Sequence, residues 1–84
     1  MEREARAEAG TLLVRLGAAI RDARVKAGLS QTEVGKLTRK GQPYQSKIEG
    51  GNANMTLETL LLVASAVGLE VRVTTRPKRS SSGG

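Results

Sequence analysis

The sequence predicts an all-helical domain of about four helices followed by one short C-terminal strand. Three observations carry this. Apolar residues recur at three- and four-residue spacing in successive stretches of the chain. Helix-capping residues open those stretches and glycines close them. After Gly68 the period changes from helical to alternating. Phe and Trp are absent and Tyr44 is the one aromatic residue, so the core is aliphatic. A chain of 84 residues makes one small domain. A core of that size is marginal, and pairing of two copies is one source of added stability.

Residues 1–10 are charged and Ala-rich, an N-terminal extension that continues the first helix or frays. From Thr11, a candidate N-cap, Leu12/Leu13, Leu16, Ala19/Ile20, Ala23 and Ala27 share one helical face, and Gly28 stops the helix. Ser30-Gln31-Thr32-Glu33 reads as a capping box opening a second helix that buries Val34 and Leu37. Residues 38–41 are a polar turn. Pro43, with no N–H and a preset φ, suits the first turn of a third helix over about 42–49. Residues 50–54 are a loop. Thr56 caps a fourth helix with Leu57, Leu60, Leu61, Ala64 and Val67 on one side, and Gly68 ends it. These helices make a domain over 11–68. Residues 69–75 alternate as a strand would, and 76–84 form a basic, then Ser/Gly-rich, disordered tail.

Composition narrows the functional classes. There is no Cys and no His, which removes disulfides, the usual metal ligands and the commonest general base. No catalytic residues, no cofactor and no metal are expected, and an enzyme is disfavoured. The N-terminus lacks an apolar secretory stretch, and the longest apolar run, Leu60 to Ala64, is far too short to span a membrane. A cytoplasmic protein is expected. The net charge of +6 suits a polyanionic partner, and equally a surface kept basic for solubility.

Two short helices joined by a tight turn in a basic helical domain form a helix-turn-helix, the motif that lays its second helix in the major groove of DNA. The residues Arg24, Gly28-Leu29-Ser30-Gln31, Val34-Gly35, Ser46-Lys47-Ile48-Glu49 and Gly51 resemble the Xre-type, lambda-repressor-like helix-turn-helix family over about residues 15–68. The resemblance implies that Gln31 contacts a phosphate and buttresses the third helix, and that Gln42 reads a base edge. A Gln amide pairs bidentately with adenine. Tyr44, Gln45 and Lys47 lie on or beside the same face, Arg39 and Lys40 lie near backbone phosphate, and Asn52 and Asn54 sit in a loop that touches phosphate or simply turns the chain. Arg24 and Glu49 correspond to a structural ion pair. Three residues depart from the pattern: Thr38 and Gln45 stand where the family has apolar residues, and Lys40 replaces a small turn residue. Gln45 therefore faces DNA, or is buried with a hydrogen-bond partner.

A lone strand leaves its backbone unpaired, and residues 69–75 have no second strand to join within the chain. Pairing of Leu69, Val71 and Val73 with the same strand of a second copy would give a two-fold homodimer; an extended tail is the alternative. The run from Thr56 to Val73 resembles the HipB antitoxin subgroup, which implies a repressor that also binds a HipA-like kinase toxin. The expected function is thus an operator-binding homodimer, with Arg21, Arg39, Lys40, Lys47, Arg76, Lys78 and Arg79 supplying positive charge toward an inverted repeat. The alternatives are a stand-alone Xre-type or phage-type regulator without a toxin, and an interaction module that kept the fold without binding DNA.

Overall fold

The computed structural model describes residues 1–79, which form four helices: α1 Glu2–Lys26, α2 Gln31–Thr38, α3 Gln42–Glu49 and α4 Leu57–Ala66. The expectation for the Ser/Gly-rich end falls on 80–84, outside the described residues. Helix α1 begins nine residues earlier than its Thr11 cap signal. Thr11 Oγ1 donates back to the Ala7 carbonyl at 3.1 Å, in mid-helix. The extension is helical because strong helix formers fill it, Glu2 and Glu4 sit in the positive first turn, and Arg6 pairs with Glu2 one turn earlier. Its side chains are exposed, and the molecule extends 50 × 22 × 19 Å.

The capping box is present at α2. The Ser30 hydroxyl accepts from Glu33 N, and the Glu33 carboxylate accepts from Ser30 N at 2.9 Å. That backbone bond, with the bond to the Ser30 side chain, holds the Glu33 carboxyl below its ordinary value. Thr56 caps α4 by accepting from Thr59 N. Helices α1, α3 and α4 end alike. Gly28, Gly51 and Gly68, all at positive φ, bond back to the third residue before them, and the following residue bonds five back.

The core is Ile20, Val34, Ile48, Ala53, Leu60, Val63 and Val67, walled by Leu16, Ala23, Leu29, Tyr44 and Met55. Full burial of each large member contributes roughly 1.5–3 kcal/mol. Two glycines let the helices approach. A Cβ on Gly17 of α1 would overlap the Ile48 carbonyl oxygen and stand 2.9 Å from that of Glu49. One on Gly35 of α2 would stand 2.7 Å from Gln42 N at the start of α3.

Three expectations about faces are corrected. Leu37 is not buried but 61% exposed, and Thr38 is buried in its place. The packing of α2 on α3 at Gly35 turns the buried arc toward Gly35 and Thr38, which leaves Leu37 on the flank. On α4 the inward residues are Thr59, Leu60, Val63, Ala64 and Val67, while Leu57 and Leu61 face outward. The strand expected over 69–75 is not formed among the described residues. Leu69 and Val71 instead pack against the core of their own domain, and Val73 is exposed. Leu69 shares a groove with Ala19, Ala23 and Lys26 of α1, and Arg76 to Arg79 share another with Glu8, so the chain after Gly68 runs back along α1.

Gly17→Val should destabilise the fold by about 2–3 kcal/mol, because the backbone of α3 at Ile48 and Glu49 cannot yield. Gly10→Ala, where a Cβ meets nothing, should be neutral or stabilising. Urea unfolding of the two variants reads the difference.

Candidate nucleic-acid interface

The turn between α2 and α3 is built by side-chain and backbone hydrogen bonds. The buried Thr38 hydroxyl donates to the Val34 carbonyl at 3.0 Å and accepts from Lys40 N at 3.4 Å. This is why a polar residue serves where the family pattern has an apolar one. Arg39 follows in the left-handed region at φ 61°, the one non-glycine residue with positive φ among those described. An arginine there costs about 1 kcal/mol relative to glycine. Gly41 N donates to the Gly35 carbonyl at 3.1 Å and closes the turn. Helix α3 then starts with Pro43 in its first turn, where a missing N–H costs nothing.

The orientation of α3 is held at its far end. Arg24 of α1 grips Glu49 with two bonds, Nε to Oε2 at 2.6 Å and Nη2 to Oε1 at 2.9 Å, and its Nη1 donates to the Leu29 carbonyl at 2.8 Å. Glu49 also accepts from Gln45 Nε2 at 2.9 Å and Gln31 Nε2 at 3.1 Å. The Glu49 side chain is only 3% exposed. Burial pushes its carboxyl up, but the bonds from Arg24, Gln45 and Gln31 and the Arg24 charge outweigh that and hold it below the ordinary value. The same hydrogen bonding raises the Arg24 guanidinium, so both partners stay charged.

The other side of α3 is open. Gln42, Pro43, Ser46 and Lys47 are exposed and lie one turn apart in pairs. Gln42 Nε2 donates to Gln31 Oε1 at 2.8 Å, which joins the head of α3 to the head of α2. Arg39 and Lys40 are exposed in the turn, and Asn52 and Asn54 are exposed beyond α3. Tyr44 is half-buried. Its ring packs on the core and its hydroxyl reaches the Asn54 carbonyl at 3.4 Å, so it braces the loop after α3.

Gln45 is corrected as a DNA-contacting residue. It is 1% exposed, and its amide is turned inward onto Glu49. Ser46 is the residue that sequence reasoning passed over. With Gln45 and Ile48 inward, the helical period places Ser46 outward one turn after Gln42.

The surface thus consists of one short helix, braced from behind by a buried ion pair, with amide, hydroxyl and ammonium groups facing out and two further cations in the preceding turn. A helix offered in this way defines a helix-turn-helix protein. Residues 15–76 match the family described as Helix-turn-helix domain, and the chain belongs to that family. Two solved structures are similar. One is the clp gene regulator ClgR from C. glutamicum, 33% identical, with a TM-score of 0.69, covering 71% of this chain and 77% of that one. The other is the restriction-modification controller protein C.AhdI from Aeromonas hydrophila, 31% identical, with a TM-score of 0.67, covering 73% of this chain and 88% of that one. No curated protein sequence matches the chain. The chain is therefore a helix-turn-helix domain protein whose fold is similar to that of these two regulators. Among the described residues, no helix is long and apolar enough to cross a membrane.

Because the folded Glu49 carboxyl lies below its ordinary value, its ionised form stabilises the fold. That contribution is complete above about pH 4.5, the ordinary glutamate value, and is lost as pH falls through the lowered folded value. Glu49→Gln should cost about 3 kcal/mol at neutral pH by leaving Arg24 unpaired. It should also flatten the acid limb of a denaturation profile measured between pH 2 and pH 7.

Proposed function

We propose that the protein is a sequence-specific double-stranded DNA-binding regulator that acts as a homodimer on an inverted repeat. The observation that carries the reading is the outward face of α3, with Gln42, Ser46 and Lys47 exposed while Gln45, Ile48 and Glu49 are held inside. Gln42 and Ser46 face base edges, and Lys47, Arg39 and Lys40 face phosphate. Gln31 stands at the head of α2, where its bond to Gln42 braces the reading side chain, and its remaining N–H approaches phosphate. Asn52 and Asn54 approach phosphate beyond the helix. The presence of Arg39 in a conformation that suits glycine better is consistent with a requirement for charge in the turn.

Dimerisation has separate support. Leu61 and Leu62 on α4 and Val73 beyond it are exposed apolar side chains, and among the described residues the backbone beyond Leu69 makes no hydrogen bond with backbone elsewhere. A second copy would cover the leucines and supply backbone partners to this segment. Two α3 helices would then lie about one helical turn of DNA apart. Repression follows where such a site overlaps a promoter. The resemblance of the stretch from Thr56 to Val73 to HipB-type antitoxins supports a further toxin-binding role. The two similar structures, both described as regulators, lend that role nothing, and it stands second to a regulator without a toxin. A neighbouring, co-transcribed kinase-like gene is the observation that would favour it.

Gln42→Ala with Lys47→Ala should weaken binding to a selected duplex at least tenfold, with the helical circular-dichroism signal unchanged, because both side chains are exposed. Unaltered affinity in a gel-shift titration would remove α3 as the reading helix. Leu61→Lys with Leu62→Lys should shift sedimentation toward the monomer at micromolar concentration. A dimer that persists would place the interface elsewhere.

A further inference from the structure

Gln45 is among the largest fully buried side chains, and it is polar. Its place one turn before Glu49 on the same helix puts its amide on the carboxylate that α1 and α2 also grip. The four bonds to Glu49 divide evenly. Oε2 accepts from Arg24 Nε and Gln45 Nε2, and Oε1 accepts from Arg24 Nη2 and Gln31 Nε2. An ionised carboxylate offers about four lone-pair positions and no donor, so this one is saturated.

That saturation has a directional consequence. A carboxylate only accepts, so the Gln31 amide must turn its NH₂ end toward Glu49 and its oxygen outward. The oxygen then meets Gln42, which must turn its own NH₂ end inward, as the 2.8 Å contact has it. Gln42 is left with one N–H and one carbonyl oxygen for a ligand. Adenine in the major groove presents N7 as acceptor and N6–H₂ as donor, which this pair matches. Guanine presents two acceptors, N7 and O6, and would set O6 against the Gln42 oxygen. The order of donors and acceptors at the surface is thus dictated by a buried anion two side chains away.

We propose that Gln45 is a positioning residue for base selection: it fastens the Glu49 carboxylate to α3, and through Gln31 this fixes the order in which Gln42 offers its donor and acceptor, favouring adenine over guanine at the contacted base. The proposal rests on the reading of α3 as the DNA-reading helix. Arg24 alone holds the carboxylate from α1. Gln45 holds it from α3 itself, so without Gln45 the second position on Oε2 is empty in a buried site, and the carboxylate, held only by the Arg24 fork and Gln31, can shift on the guanidinium relative to Gln31.

Gln45→Met tests this, since methionine has similar length and volume but no N–H. Selection of bound duplexes from a random pool, run with both proteins at one salt concentration, is paired with NMR exchange rates of the Gln31 and Gln42 side-chain amide protons in the free proteins. The variant should fold with an unchanged or higher thermal midpoint. Its Gln31 amide protons should exchange at least tenfold faster, and its adenine preference should fall about tenfold. The salt dependence of binding should not change, because no charged phosphate contact is touched. Wild-type base preference or wild-type exchange in Gln45→Met overturns the role of Gln45. A wild-type protein that selects no sequence overturns the DNA reading itself and the base choice with it, and the two failures are distinct. Should Gln45→Met not fold, Gln45→Leu takes its place in both measurements under the same criteria.

Discussion

Four hydrogen bonds converge on the Glu49 carboxylate, and the pose of α3 depends on them. They come from α1, from α2 and from α3 itself. Burial of this charge would be costly if it were unpaired, and it is tolerated because every lone pair has a donor and the nearest donor is a guanidinium. A hydrophobic contact in the same place would hold α3 against its neighbours. It would not set the rotation of α3 about its own axis, which is the quantity that decides which side chains face outward. The directional bonds of a carboxylate do that.

The close backbone approaches complete the constraint. Gly17 lets α1 lie against the end of α3, and Gly35 lets α2 lie against its start. With both ends of an eight-residue helix located, little freedom remains for the exposed stripe of Gln42, Ser46 and Lys47. Such a short helix has almost no stability alone, so its order is inherited from this packing. The turn that leads into it stores a small local cost at Arg39, whose left-handed backbone glycine would adopt more easily. A charged residue in that position is understandable where the turn borders a polyanion. Dimer formation would add a further constraint, the spacing between two reading helices, and the outward leucines of α4 are the surface available for it.

Much of the domain is legible in the sequence. The capping box at Ser30, the Thr56 cap, the stop glycines and Pro43 are local signals, and they placed α2, α3 and α4 within a residue or two. The pattern that suggested Arg24 and Glu49 as a pair spans 25 positions and rested on family resemblance, since neither residue's own neighbourhood reveals its partner. The surface was less legible. Leu37, Leu57 and Leu61 were expected inside from hydrophobicity and are outside, while Thr38 and Gln45 are polar and buried. Hydrophobic periodicity locates a face only to within the width of an arc. Where adjacent residues compete for the edge of that arc, the crossing point with the next helix decides. Gln45 could not be resolved at all from sequence, because an amide serves equally well against a base or against a buried carboxylate.

The sequence by itself determined the four helical elements, where α2, α3 and α4 start and stop, the positive charge and the helix-turn-helix motif. Each of these follows from interactions between residues at most a few positions apart, or from composition. Only the tertiary structure decided which way Gln45 turns, that Ser46 joins Gln42 on the outer face, and that Leu69 and Val71 fold back on their own core. These outcomes depend on what stands opposite each side chain once the helices have crossed. The spacing of residues along one helix does not contain that information.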